Sequence, residues 1–201
     1  MKNREMRQMR TSASQFETRE NGDGLFIEGY FSVFNSNYDI EPGMSESIAP
    51  GAFSNTLSED VRALINHDTT LVLGRNKAGT LELKEDTRGL WGKITINPND
   101  SDAMNLYERV KRGDVDQCSF GFDIVKEDTE IREDGSIHWT IREVLLYEVS
   151  CCTFPAYSDT SIACRTKQAE ELKKRNNEAW KLRTMNRLKG ESTNGTQNTN
   201  A

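Results

Sequence analysis

The feature that most restricts the fold of this 201-residue chain is a series of short apolar stretches separated by turn signals. In residues 24–34, which read GLFIEGYFSVF, alternate positions from Leu25 to Val33 are mostly apolar. Alternation of this kind is typical of a half-buried β-strand. Similar stretches lie at residues 61–66, 71–73, 80–84, 90–96, 119–125 and 137–151. The chain is therefore expected to be mainly β.

Helical patterns are fewer. Residues 100–112 carry an apolar stripe at i, i+3, i+4 and i+7, with Asp100 or Ser101 as the cap and Gly113 just after the end. Residues 167–189 also favour a helix, but their apolar stripe is thin, and residues 190–201 are predicted to be disordered. A loop over residues 35–50 and a short helix over residues 52–57 complete the prediction. The favoured class is a mainly antiparallel, barrel-like sheet with peripheral helices.

Charge divides the chain into three parts. The net charge of −6 hides a body, residues 20–164, with a net charge of −14. Residues 1–19 carry +3 and residues 165–190 carry +6. We therefore predict a flexible basic segment over residues 1–20, a folded domain over residues 21–164 and a polar helical tail over residues 165–201. The acidic body argues against a nucleic-acid groove.

Cysteine spacing and hydropathy narrow the class of protein. No apolar run approaches the ~18–20 residues that cross a bilayer, and the charged start lacks the apolar core of a secretory signal. We expect a soluble protein of a reducing cytoplasm that binds neither membranes nor nucleic acid. The four cysteines lack the spacing of a zinc site, so we expect reduced, mostly buried thiols and no metal or cofactor. These are Cys118, Cys151, Cys152 and Cys164.

Three residues are candidates for chemistry. His67 ends a predicted strand, where it is either a general base or a surface residue of a turn. Ser119 precedes Phe120 and Gly121, and it is either a nucleophile or an ordinary serine at a strand start. Glu148 lies in an otherwise apolar stretch. Its side chain either faces solvent, or it orients a histidine and stabilises the positive charge of that histidine.

Two further residues were weighed as reactive groups. His138 follows an Asp-Gly turn and is expected to be an exposed strand residue. Cys118 is a rival nucleophile, because a Cys–His pair is chemically sensible. Strand alternation turns Cys118 away from the site if Ser119 points into it.

Four segments together resemble a known family. Residues 46–53 match an E-x-I-x-P-G-A-F pattern, and residues 66–74 match N-H-D followed by L-G. Residues 119–122 read S-F-G-F, and residues 148–157 carry E-V-S followed by P-A-Y. In this order they resemble the tailed-phage prohead (capsid maturation) proteases, which are similar to herpesvirus assemblin. The resemblance covers residues 24–162.

The resemblance implies an assemblin-like closed β-barrel surrounded by helices and a serine endopeptidase. It implies His67 as general base, Ser119 as nucleophile and Glu148 as third member of the triad, where assemblins use a second histidine. The implied substrates are the scaffold segment of the major capsid protein, any scaffold protein and the protease itself. The implied location is the host cytoplasm, inside the immature capsid, and a homodimer is possible.

Two other classes of function remain open from the sequence. A scaffold or capsid-assembly protein of the same fold without activity is the first, although the complete set of three candidate residues argues against it. A metal-binding module is the second, and it lacks suitable ligand spacing among Cys151, Cys152, Cys164 and His138.

Overall fold

The computed structural model describes residues 8–12, 16–22, 24–154 and 159–194. The chain divides into two compact units, residues 1–161 and residues 162–201. The helices among the described residues are α1, Ser101–Arg112, and α2, Asp159–Asn194, and a 3-10 turn lies at Asn76–Ala78. The strands are β1 Gln8–Ser12, β2 Glu17–Asn21, β3 Gly24–Val33, β4 Tyr38–Glu41, β5 Met44–Ile48, β6 Arg62–Ile65, β7 Asp68–Arg75, β8 Leu81–Glu85, β9 Gly89–Ile96, β10 Gln117–Ile131 and β11 Ile137–Cys152.

The described strands form two sheets. The smaller sheet is antiparallel in the order β2-β3-β9-β8. The larger sheet has the order β1-β10-β11-β5-β4, and the hairpin of β6 and β7 joins it through β11. The first part of β11 pairs in parallel with β5, and its last part pairs in parallel with β6. At this end of the sheet β11 therefore lies between β10 and the β6–β7 hairpin.

Both sheets contribute to one hydrophobic core. Ile27 and Phe31 of β3 lie in the same cluster as Phe120 of β10 and Leu106 of α1. Gly92 makes this packing possible, because a Cβ at that position would lie 2.7 Å from the Phe31 ring. The mainly β class with two helices is confirmed. The described strands hydrogen-bond as two separate sheets and not as one closed ring, so barrel closure stays a prediction.

Helix α1 has the predicted boundaries. The Asp100 side chain accepts hydrogen bonds from the amides of Asp102 and Ala103, which satisfies two amides that have no partner within the helix. Gly113 ends the helix with φ of 85°, a left-handed conformation that favours glycine. The predicted stripe is buried, and it consists of Ala103, Leu106, Tyr107 and Val110.

The structure differs from the sequence-based prediction where order comes from distant pairing. Strands β1 and β2 lie in the segment expected to be flexible. Strand β1 pairs with β10, far along the chain, and β2 pairs with the following strand, β3. Residues 35–50, expected to be a loop, contain β4 and β5. Residues 52–57, expected to be a short helix, form successive turns. Main-chain pairing of this kind leaves little trace in local side-chain periodicity.

The second unit contains most of α2. This helix extends to Asn194, beyond the predicted end, and residues 195–201 lie outside the described residues. Its apolar side chains include Trp180, Leu182 and Met185, all of which are exposed. Neither helix of the described part of the chain is long and apolar enough to cross a membrane.

Candidate active site

His67 lies in the tight turn between β6 and β7. Asn66 and His67 both have positive φ, 49° and 62°, as a two-residue type I′ hairpin turn requires. Asparagine and histidine tolerate this conformation better than most residues with a Cβ. The turn is fastened to β11, because the Asn66 amide donates to the Cys151 carbonyl at 3.0 Å and the His67 amide donates to Ser150 Oγ at 3.2 Å. These two bonds hold the main chain at His67 against β11.

Glu148 contacts the imidazole directly. Its Oε1 lies 2.7 Å from His67 Nδ1, and its Oε2 accepts a hydrogen bond of 2.6 Å from Ser150 Oγ. The carboxylate is 2% exposed, so both bonds compensate for a costly burial. The contact favours the tautomer in which Nδ1 carries a proton and Nε2 has a free lone pair. This is the arrangement that a general base requires.

Ser119 lies on the neighbouring strand, opposite Ser150. The two serines are paired in the β10–β11 register, and paired residues of an antiparallel ladder point to the same face with their Cβ atoms about 4.5–5.5 Å apart. Ser119 is 0% exposed, and its Oγ donates a 2.8 Å hydrogen bond to the main-chain carbonyl of Arg10 in β1. Ser119 thus lies on the strand next to the one that carries Glu148, the partner of His67. Strand β1 pairs with the opposite edge of the Ser119 strand.

His67 Nε2 faces a thiol in this conformation. It lies 3.7 Å from Cys152 Sγ, and among the hydrogen bonds of the described residues none joins His67 to Ser119. Burial raises the pKa of the Cys152 thiol to about 12, and the charge of Glu148 adds to this effect. The thiol is therefore protonated near neutral pH, which makes it a poor nucleophile.

Cys118 is turned away from the site, as strand alternation predicts. Its Sγ lies 3.1 Å from the main-chain oxygen of Tyr30, on the side of the smaller sheet. Cys118, Cys151 and Cys152 are buried thiols outside any disulfide, in agreement with the sequence-based expectation. Of the two nucleophile candidates in the sequence, Ser119 and Cys118, only Ser119 shares the face of Glu148.

The prediction for His138 was wrong. This residue is buried, with Nδ1 2.9 Å from Ser45 Oγ and Nε2 3.0 Å from Ser47 Oγ. Burial, together with the charge of Arg132, lowers the pKa of the imidazole. The parallel pairing of β5 with β11 causes the burial, because it places a second strand beside a residue that follows an exposed turn.

Sequence reasoning missed four residues around the site. Ser150 and Cys152 follow Glu148 at period two, so alternation alone would have placed them on its face. Arg10 and Glu46 form a buried ion pair although they are distant in sequence, and the Arg10 main-chain carbonyl accepts the Ser119 hydrogen bond. An acidic residue in the otherwise uncharged residues 43–53 was a signal for Glu46, whereas nothing local indicated Arg10.

Some expectations fall on parts that the structure does not describe. The Pro155-Ala156-Tyr157 segment of the resemblance lies outside the described residues. Within the described residues, no group of three or more His, Cys, Asp or Glu side chains is arranged to hold a metal ion.

Comparisons with known proteins give a family match, a similar phage protein and a similar solved structure. The family model described as Caudovirus prohead serine protease matches residues 14–175. The prohead protease of Enterobacteria phage HK97 is 36% identical over 158 residues, which cover 76% of this chain and 66% of that relative, just under two thirds of its length. The solved structure of the bacteriophage T4 capsid assembly protease, gp21, matches with a TM-score of 0.48 and 10% identity. That match covers 73% of this chain and 97% of the T4 chain.

Proposed function

Because the chain belongs to the caudovirus prohead serine protease family, we propose that it is a serine endopeptidase of phage capsid maturation. The observation that carries the proposal is the 2.7 Å contact between His67 Nδ1 and Glu148 Oε1 beside a serine on the same face. A buried carboxylate that fixes an imidazole next to a hydroxyl is the arrangement of a serine protease triad.

Each of the three residues has a distinct role in this proposal. Ser119 is the nucleophile, His67 is the general base, and Glu148 holds the imidazole and stabilises the imidazolium. A free hydroxyl is a poor nucleophile near neutral pH, so Ser119 needs His67 Nε2 to accept its proton. The acyl-enzyme is then hydrolysed by water, with the imidazolium first protonating the leaving amine.

Two rearrangements lead from the present conformation to the reactive one. His67 Nε2 must turn from Cys152 towards Ser119, and Ser119 must exchange its hydrogen bond to the Arg10 carbonyl for one to His67. The imidazole is held at Nδ1, so rotation about the Nδ1–Glu148 contact moves Nε2 while keeping the tautomer. The neutral, buried Cys152 thiol competes only weakly for Nε2, because S–H is a weak donor.

The proposed substrates are capsid components. They are the scaffold segment of the major capsid protein, any separate scaffold protein and the chain itself, inside the immature capsid in the host cytoplasm. The description of the family and the name of the HK97 relative, a prohead protease, support this assignment. A homodimer is part of the proposal, whereas nucleic acid, membranes and cofactors are not.

The proposed domain arrangement follows the charge pattern. Residues 21–164 form the protease domain, and residues 1–20 and 165–201 are its two basic ends. We further infer that the two sheets form the walls of an assemblin-like barrel. The shared core supports this, because Phe31 of the smaller sheet and Phe120 of the larger belong to one cluster, and Cys118 Sγ contacts the Tyr30 main chain.

The test compares the chain with its Ser119→Ala variant. Each is co-expressed with a major capsid protein that carries its scaffold segment, and intact masses are followed over time. Ser101→Ala, which alters a serine at the start of α1, is the matched control. We expect processing by the parent chain and the control, and none by Ser119→Ala. Equal processing by all three would remove Ser119 as nucleophile, and no processing by the parent would favour an inactive assembly protein.

A further inference from the structure

Strand β1 occupies the edge of β10 that carries Ser119. Residues Gln8–Ser12 pair antiparallel with residues 118–122 of β10, with Thr11 opposite Ser119. The exposed edge of a sheet is a ready template for an extended peptide, whose main chain adds to the ladder as a further strand. The hydroxyl of Ser119 donates to the Arg10 carbonyl, so the main chain at the Arg10–Thr11 bond lies against the proposed nucleophile.

The Arg10 side chain fills a buried acidic pocket. It is 5% exposed, and its Nε and a terminal nitrogen donate to the two oxygens of Glu46, the latter at 3.0 Å. The guanidinium lies 5.6 Å from the Tyr38 ring centre and 5.8 Å from that of Phe122, within the range of cation–π attraction. A two-point contact between a planar guanidinium and a carboxylate is specific for arginine, because an ammonium group cannot form it.

Burial of Glu46 favours a cation in the pocket. The residue is 1% exposed, and a buried carboxylate is unfavourable without a hydrogen-bonded positive partner. In this conformation β1 supplies that partner. A peptide that displaces β1 restores this two-point pairing only when it carries an arginine at the same position, so the pocket selects among peptides.

We propose that the edge of β10 is the substrate-binding site, that Glu46 selects an arginine immediately before the cleaved bond, and that β1 is the chain's own substrate, cut between Arg10 and Thr11. This inference rests on the proposed function. It also makes β1 a competitor of other substrates, because Ser119 is covered while β1 is paired.

The proposed cleavage is an ordinary hydrolysis. Ser119 Oγ bonds to the Arg10 carbonyl carbon, its proton passes to His67 Nε2, and that proton then goes to the departing Thr11 nitrogen. Water adds to the ester, which releases the Arg10 carboxylate and regenerates the Ser119 hydroxyl. No oxidant, reductant or metal takes part in this step.

Peptide binding tests the pocket without requiring catalysis. The protein is the full chain with Ser119→Ala and Arg10→Ala, which cannot use the proposed nucleophile and has lost the anchor of β1. The probes are two fluorescent peptides with the sequence of residues 6–16, one unchanged and one with alanine in place of the arginine at position 10. We expect the arginine peptide to bind about 10- to 100-fold more tightly, as a charge-assisted hydrogen bond implies.

Two further variants in the same background identify the selecting residue. Glu46→Gln keeps the shape of the side chain but removes its charge, and we expect it to bring the affinity ratio close to one. Glu82→Gln, on β8 of the other sheet, is the matched control and keeps the ratio. Thermal unfolding of each variant establishes that it is folded. Equal or absent binding of the two peptides, or a preference that persists in Glu46→Gln, overturns the inference.

Hydrolysis separates this inference from the proposed function. With Ser119 and Arg10 restored, we expect a product that begins at Thr11, together with faster cleavage of the arginine peptide than of the alanine peptide. Ser119-dependent cleavage of both peptides at equal rates overturns the pocket and leaves the proposed function intact. Selective binding without any hydrolysis leaves the pocket intact and overturns the proposed function.

Discussion

Replacement of Glu148 by glutamine is the sharpest test of the charge at the proposed site. The carboxylate accepts hydrogen bonds from His67 Nδ1 at 2.7 Å and from Ser150 Oγ at 2.6 Å. Glutamine has nearly the same shape, but it carries no charge and has one acceptor oxygen and one donor group. If its amide nitrogen faces Nδ1, the proton moves to Nε2 and His67 no longer accepts a proton from Ser119. If its oxygen faces Nδ1, the tautomer survives but the imidazolium loses its counter-charge.

The expected magnitude follows from the geometry. Two unit charges about 4 Å apart, at an effective dielectric constant of about 20, interact by about 4 kcal/mol, which corresponds to about 10³-fold in rate. The wrong tautomer lowers kcat by about 10⁴-fold in the Ser-His-Asp template. We therefore expect Glu148→Gln to lower kcat by about 10³- to 10⁴-fold with little change in KM.

The assay combines peptide hydrolysis with nuclear magnetic resonance of the imidazoles. The chain contains only two histidines, so ¹⁵N spectra report His67 and His138 as two resolvable rings. Glu143→Gln alters a half-buried carboxylate of the same strand, which accepts a hydrogen bond from Asn55, and is the matched control, with unchanged rate expected. A folded Glu148→Gln variant whose kcat lies within tenfold of the parent value would refute the role of the charge.

Three further predictions concern residues around the site and the fold. Cys152→Ala is expected to retain hydrolysis, since a thiol with a pKa of about 12 supplies no thiolate; loss of hydrolysis together with normal folding would instead assign the nucleophile to Cys152. Burial lowers the pKa of His138, so the unfolded chain binds this proton at a higher pH than the folded chain does, and the free energy of unfolding falls as the pH drops below about 6.5. His138→Gln removes this group and is expected to make that fall smaller. Denaturant titrations from pH 7 to pH 5 measure this difference, and parallel curves for variant and parent would contradict it. Asp100→Ala is expected to lower the free energy of unfolding by about 1 kcal/mol through loss of the α1 cap, and an unchanged denaturation midpoint would contradict that role.

Local patterns predicted the elements whose order is local. Helix α1 has a cap, a buried stripe and a terminal glycine within 14 residues, and each feature is visible in the sequence. The strands of the β10–β11 hairpin were equally visible, because alternation and an Asp-Gly turn are properties of neighbouring residues. Barrel closure depends on hydrogen bonds between distant strands, which periodicity does not encode.

The site was predictable only as a set of residue types. Sequence placed His67, Ser119 and Glu148 as candidates, and the resemblance gave them roles, but no spacing rule indicated that His67 would meet Glu148. The structure makes that contact through the parallel pairing of β6 with the end of β11. The same kind of distant pairing places β1 beside the strand that carries Ser119, and this explains why nothing local in the sequence indicated Arg10.

Covalent labelling by a fluorophosphonate tests the central claim most directly. The reagent forms an ester with a hydroxyl that a neighbouring base has activated. It is applied to the full chain carrying Arg10→Ala, and again to the same chain with His67→Ala, and the labelled peptide is identified by mass. We predict one adduct, on Ser119, that disappears when His67 is replaced. An adduct on another residue, an absence of labelling, or labelling of Ser119 that does not depend on His67 would contradict the proposed site.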